Sequence, residues 1–103
     1  MSTGLRVLVV DDNEDVAAVL STWLTLEGHD VRTALDGRQA LIEAREFTPS
    51  CVLLDIGMPD MDGREVARVL RAAYGQDLVL IAVTGWEDPS LRTTSMFADF
   101  DHY

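Results

Sequence analysis

Apolar runs of strand length alternate along the chain with stretches in which apolar residues recur at helical spacing, in the order β-α-β-α-β-α-β-α. Residues 5–10 form an almost unbroken aliphatic run, and residues 51–54 and 78–83 repeat that character, as parallel strands covered on both faces do. These are the expected inner strands. Residues 30–34 are shorter and alternate, with Val31 and Thr33 facing one way and Arg32 the other, which suits a sheet edge. Between the first two runs, Val16, Leu20 and Leu24 recur beside Val19 and Trp23, predicting a helix over residues 14–26 with those five side chains as its buried stripe. Asp12 or Asn13 can cap it, Glu14 and Asp15 favour its positive end, and Gly28 suits a left-handed terminating position. A second helix is predicted over residues 37–47 behind the cap Asp36, with Ala40, Leu41 and Ala44 inward and Pro49 stopping it. A third, near residues 64–74, follows the cap Asp62 and turns Val66, Val69, Leu70 and Ala73 to the core. Asp88-Pro89 opens a fourth whose apolar side begins at Leu91, and Thr93, Thr94 and Ser95 keep it short. Residues 100–103 look like a turn entering a fifth strand.

Alternation of this kind with right-handed crossovers gives an α/β fold, a doubly wound parallel sheet with helices on both faces. Such sheets bind ligands beyond the carboxyl ends of the strands, where the strand order reverses. The positions to search are therefore Asp11-Asp12, residues 55–63 and residues 84–88. The 103 residues, 48% hydrophobic and 25% charged, suit one domain with a core, and no repeat or linker divides them. No apolar stretch approaches the ~20 residues of a membrane span, and the first residues lack a basic region followed by an apolar one, so a cytoplasmic protein is expected. The net charge of −10 and the lack of any arginine run interleaved with aromatics exclude nucleic acid as a partner of this segment. The single cysteine, Cys51, sits in an apolar run and reads as a buried small hydrophobe. Neither His29 nor His102 has a companion at metal-ligand spacing, and both read as loop residues.

The chemistry lies in the acids. Asp11 and Asp12 end the first strand and Asp55 the third, and in a flavodoxin-like order 2-1-3-4-5 these strands are neighbours flanking the switch point. Carboxylates gathered in one crevice repel unless a proton or a cation intervenes, and a hard divalent ion, Mg2+, is the natural partner of an all-oxygen set. Asp55 precedes the turn-prone Ile56-Gly57-Met58-Pro59, which frees its carboxylate to act as a nucleophile toward a phosphoryl donor. Thr84 ends the fourth strand, where its hydroxyl can contact a phosphoryl oxygen.

Three segments carry a resemblance. Val9-Val10-Asp11-Asp12-Asn13, Leu53-Leu54-Asp55-Ile56-Gly57-Met58-Pro59-Asp60-Met61-Asp62-Gly63 and Ala82-Val83-Thr84-Gly85 resemble, in order and spacing, the motifs of response-regulator receiver domains of the chemotaxis-regulator type. The resemblance spans essentially all of residues 1–103 as one receiver domain. It implies that Asp55 is the phosphoacceptor in a Mg2+-dependent phosphorelay, that Asp11 and Asp12 are the acidic Mg2+ residues, and that the Gly57 carbonyl is a further ligand. Thr84 becomes the phosphoryl-contacting switch residue, Tyr103 the aromatic switch, and the partner a sensor histidine kinase or phosphotransfer protein. Such a domain is a signalling switch, not an enzyme. Trp86, two residues beyond Thr84, reads first as loop packing and second as a gate over the site.

The pattern departs from the family in one respect. All eight basic residues are arginine, so the lysine that receivers carry at the end of the fifth strand is not among these residues. Its place falls a few residues beyond Tyr103, and the expectation is a chain that stops within the fifth strand, without the last helix, rather than a lysine-less pseudo-receiver. A phosphorylation-independent interaction module remains the alternative. An aspartate-nucleophile phosphatase of the haloacid dehalogenase type would need a second Asp at position 57, where this chain has Gly57. A Rossmann or P-loop nucleotide domain is excluded more firmly, since Asp11-Asp12-Asn13 stands where a glycine-rich phosphate loop belongs. With no complete fifth strand, the uncharged run of residues 78–83 is expected to drive association into homo-oligomers by edge pairing or exchange of elements, or to leave these residues only marginally folded.

Overall fold

The computed structural model describes residues 4–55 and 63–83. Its elements in order are β1 (Arg6–Val10), α1 (Glu14–Leu26), β2 (Asp30–Ala34), α2 (Gly37–Phe47), β3 (Cys51–Asp55), α3 (Gly63–Tyr74), a 3-10 turn (Gly75–Asp77) and β4 (Val79–Val83). The helix boundaries have local causes. The Asn13 side chain accepts the N–H groups of Asp15 and Val16 at the start of α1, and Gly28 takes φ 95° just past its end. Asp36 accepts the Gln39 N–H to open α2, and that helix closes on Thr48 in a left-handed conformation directly before Pro49.

All strand pairs are parallel, in the order β2-β1-β3-β4, which is the flavodoxin-like arrangement. Residues of the expected fourth helix and fifth strand, and the cap Asp62, lie outside the described residues. Among the described residues β4 pairs with β3 alone, and Val79 is exposed. The two faces of the sheet are covered unequally. On one, α2 and α3 seal a core of Leu8, Val10, Val52, Leu54, Leu70 and Leu80. On the other, Val7, Val9 and Cys51 pack with Ala17 of α1, and Leu20 and Leu24 join them only partly buried.

The α1 stripe therefore differs from the one its periodicity predicted. Ala17, Leu20 and Leu24 meet the sheet, whereas Val16, Val19 and Trp23 are exposed. The small Ala17 permits close approach of helix and sheet and so decides the rotation of the helix. In α3 the same kind of shift occurs: Ala67 joins Val66 and Leu70 in the core, and Ala73 is exposed. Leu5 stands outside β1 and is exposed, but its N–H donates to His29 Nδ1 at 3.0 Å and its carbonyl accepts from Asp30, so His29 is a loop residue with a structural bond. Cys51 is buried at the start of β3. No helix among the described residues is long and apolar enough to cross a membrane.

Candidate metal centre

The register of β1 and β3 builds the site. Val9 pairs with Leu53 and Val10 with Leu54, and side chains alternate between faces, so Val7, Val9, Cys51 and Leu53 all look toward α1. Carrying the alternation one residue onward places Asp11 and Asp55 side by side at the carboxyl ends of neighbouring strands. Asp12 follows at the entry to α1. Carboxylate oxygens of Asp11, Asp12 and Asp55 lie within 4.8 Å of one another, with Asp11 buried, Asp55 half-buried and Asp12 exposed.

The backbone fixes Asp11 from two sides. Its N–H donates to the Ala34 carbonyl at the end of β2, at 3.0 Å, and its carboxylate accepts the Asn13 N–H at 2.9 Å. Asn13 in turn caps α1 by accepting from Asp15 at 2.9 Å and Val16 at 3.2 Å. One short run thus ends a strand, orients a carboxylate and starts a helix. The sequence left the cap open between Asp12 and Asn13; the structure assigns it to Asn13 and leaves the exposed Asp12 with its carboxylate among the three. The bond from Asn13 to Asp11 was not anticipated. Its signal is the Asp-x-Asn spacing, since an aspartate commonly accepts the N–H two residues on.

This donor set suits a hard cation. Three carboxylates with oxygens within 4.8 Å of one another repel each other, and an ion with oxygen preference would relieve that repulsion while leaving coordination positions for water or a phosphoryl oxygen. No sulfur or imidazole joins them, which argues against a zinc site. Among the described residues no other group of His, Cys, Asp and Glu could hold a metal, and no buried side-chain polar atom lacks a hydrogen-bond partner. Gly57, Thr84, Trp86, His102 and Tyr103 lie outside the described residues.

Comparison with known proteins decides the family. The family model described as the response regulator receiver domain matches residues 7–103. The chain belongs to that family. Among curated relatives, the receiver is 41% identical over 106 residues to the transcriptional regulatory protein PrrA of Mycobacterium tuberculosis, an alignment covering 100% of this chain and 45% of PrrA. It is 46% identical over 76 residues to the DNA-binding response regulator MtrA of Mycobacterium leprae, covering 74% of this chain and 34% of MtrA. The chain thus spans less than half the length of these relatives. Among solved structures, the receiver superimposes on the response regulator TrrA of Thermotoga maritima, crystallised in complex with Mg2+-BeF, with a TM-score of 0.86 and 32% identity, covering 100% of this chain and 84% of that one. The chemotaxis response regulator CheY4 of Vibrio cholerae matches with a TM-score of 0.84 and 27% identity, over 97% of this chain and 84% of that one.

Proposed function

We propose that this receiver takes a phosphoryl group onto Asp55 from a sensor histidine kinase or phosphotransfer protein, in a Mg2+-dependent step that switches a cytoplasmic signalling pathway. The observation that carries the proposal is the convergence of Asp11, Asp12 and Asp55 at the carboxyl ends of β1 and β3. Each residue has a distinct task. Asp55, half-buried at the end of β3, offers a carboxylate oxygen that bonds to phosphorus as the bond from phosphorus to the donor imidazole nitrogen breaks, and the imidazole, already protonated on its other ring nitrogen, leaves neutral. Asp11, fixed by the Asn13 N–H, and the exposed Asp12 would hold Mg2+ together with Asp55. When bound, Mg2+ offsets the negative charge on the transferring oxygens. TrrA, the relative crystallised with Mg2+-BeF, supports the choice of ion.

By family likeness the Gly57 carbonyl would complete the metal set, Thr84 would contact the phosphoryl group, and Tyr103 would report its presence as a rotamer switch. Once modified, Asp55 holds a stoichiometric label rather than turning over substrate, which makes the domain a switch and not an enzyme. Intact mass measured after incubation with acetyl phosphate and Mg2+ tests the assignment. One phosphoryl unit should be gained, and Asp55→Asn should abolish the gain. Unchanged labelling of Asp55→Asn would move the acceptor elsewhere.

A further inference from the structure

The sheet ends at β2, and the outer edge of that strand is open over a short span. In a parallel strand the backbone groups of successive residues turn alternately to the two sides. Asp30 donates its N–H to the Leu5 carbonyl, and the Ala34 carbonyl accepts from Asp11. Asp30, Arg32 and Ala34 therefore bond toward β1, and Val31 and Thr33 turn their backbone groups outward. The edge is closed at both ends. The His29 N–H donates to the Leu24 carbonyl at 3.1 Å, and the Leu35 N–H donates to Gln39 Oε1 at 2.9 Å. Between these closures the outward N–H and C=O groups of Val31 and Thr33 meet no partner among the described residues. Two donors and two acceptors stand there in one row.

Beside that row the small side chains of α1 leave space. A groove of about 450 Å3 opens between Thr33 and Leu35 of β2 and Ala18, Ser21 and Thr22 of α1. Val31 and Thr33 lie on this side of the sheet, whereas Arg32 lies on the other, paired with Glu43 and stacked on Phe47. A strand laid against the edge follows the same alternation, so its side chains opposite Val31 and Thr33 would enter the groove. Charge states what kind of strand fits. Glu14, in the first turn of α1, lines the groove and makes no ion pair among the described residues. The chain as a whole carries a net charge of −10. A second copy of β2, paired antiparallel about its centre, would set Arg32 opposite Arg32 and bring two strongly acidic chains together. A basic segment of another protein meets opposite charge instead.

We propose that the outer edge of β2 accepts an extended basic segment of a partner protein as an added antiparallel strand. Val31 and Thr33 each exchange both backbone bonds with the residue opposite, and β-branched side chains at those two partner positions fill the groove. An arginine or lysine two residues earlier in the partner, opposite Leu35, reaches Glu14. The seat uses none of Asp11, Asp12 and Asp55 and stands whether or not Asp55 is the phosphoacceptor.

The probe is a synthetic capped peptide, Arg-Thr-Val-Thr-Val-Thr, titrated into the isotope-labelled protein and followed by its backbone amide signals. Saturating shifts should centre on Val31 and Thr33. The same peptide N-methylated at both valines loses the two N–H groups that face β2 and should bind at least about tenfold more weakly. Glutamate in place of its arginine should weaken binding about threefold or more, and Glu14→Gln should remove that difference. Thr33→Pro deletes one outward N–H while leaving the bonds to β1, a change that an edge strand tolerates, and should weaken binding about tenfold. Val19→Asp on the outer side of α1 and Ile42→Asp on α2, both at exposed positions, should leave binding intact. The methylated peptide leaves the protein unaltered and so decides the matter even where Thr33→Pro disturbs folding. Equal binding of the methylated peptide, shifts centred on Val19 and Trp23, or no binding to the folded chain overturns the proposal. Sedimentation as a dimer that Thr33→Pro dissociates would also overturn it, by giving the edge to a second copy.

Discussion

Replacing Asp11 by asparagine separates the electrostatic role of the site from its structural one. The carboxylates of Asp11 and Asp55 lie within 4.8 Å, and two unit charges at that distance repel by about 3.5 kcal/mol at an effective dielectric near 20. Asp55 is half-buried, so solvent screening reduces the net figure to about 1–2 kcal/mol. Asparagine removes the charge but keeps an oxygen for the Asn13 N–H, so the 2.9 Å bond that orients the turn persists. In EDTA, Asp11→Asn should therefore be more stable than wild type by about 1–2 kcal/mol, or about 5–10 °C in Tm for a domain of this size. Mg2+ should reverse the order. An ion at one hundred times its Kd stabilises wild type by about 2.7 kcal/mol, and the variant, having lost a ligand charge, gains much less. Asp11→Ala provides the control: it removes the same charge and also the acceptor for Asn13, so it should fall about 1 kcal/mol below Asp11→Asn. Urea unfolding of the three proteins, with EDTA and with saturating Mg2+, measures all of these differences. A less stable Asp11→Asn in EDTA, or an equal Mg2+ gain for both proteins, would refute the idea that the three acids form a strained, cation-seeking cluster.

Two further outcomes follow from packing and capping. Leu54→Ala, at a fully buried position of β3, should cost about 2–5 kcal/mol by equilibrium denaturation, whereas Val19→Ala on the exposed seam of α1 should change stability by less than about 0.5 kcal/mol. Asn13→Ala should cost about 1 kcal/mol through loss of the α1 cap, and should also lower Mg2+ affinity in a calorimetric titration, because the turn that presents Asp11 begins at the same residue.

What the sequence by itself determined was the local and the periodic. The aliphatic runs of residues 5–10, 51–54 and 78–83 read as strands, and the candidate caps, Asp12 or Asn13 for α1 and Asp36 for α2, with Gly28 and the stop at Pro49, bounded the two helices, because capping and backbone preferences act over three or four positions. The aspartates at the strand ends were legible for the same reason: a charged residue closing an aliphatic run marks where a strand leaves the core. Tertiary structure decided matters in which chemically similar neighbours compete. The α1 sequence contains two apolar seams, and hydrophobicity alone does not tell which of them meets the sheet; the close approach allowed by Ala17 selects Ala17, Leu20 and Leu24 and turns Val16, Val19 and Trp23 outward. In α3 the small side chain of Ala67, not Ala73, lies where the helix meets the sheet. Asp11 and Asp12 are alike as residues, yet only Asp11 is buried, since its N–H closes on the Ala34 carbonyl of β2 and its carboxylate on Asn13. Those partners are 23 residues and two residues away, so the difference exists only once β1 and β2 lie side by side.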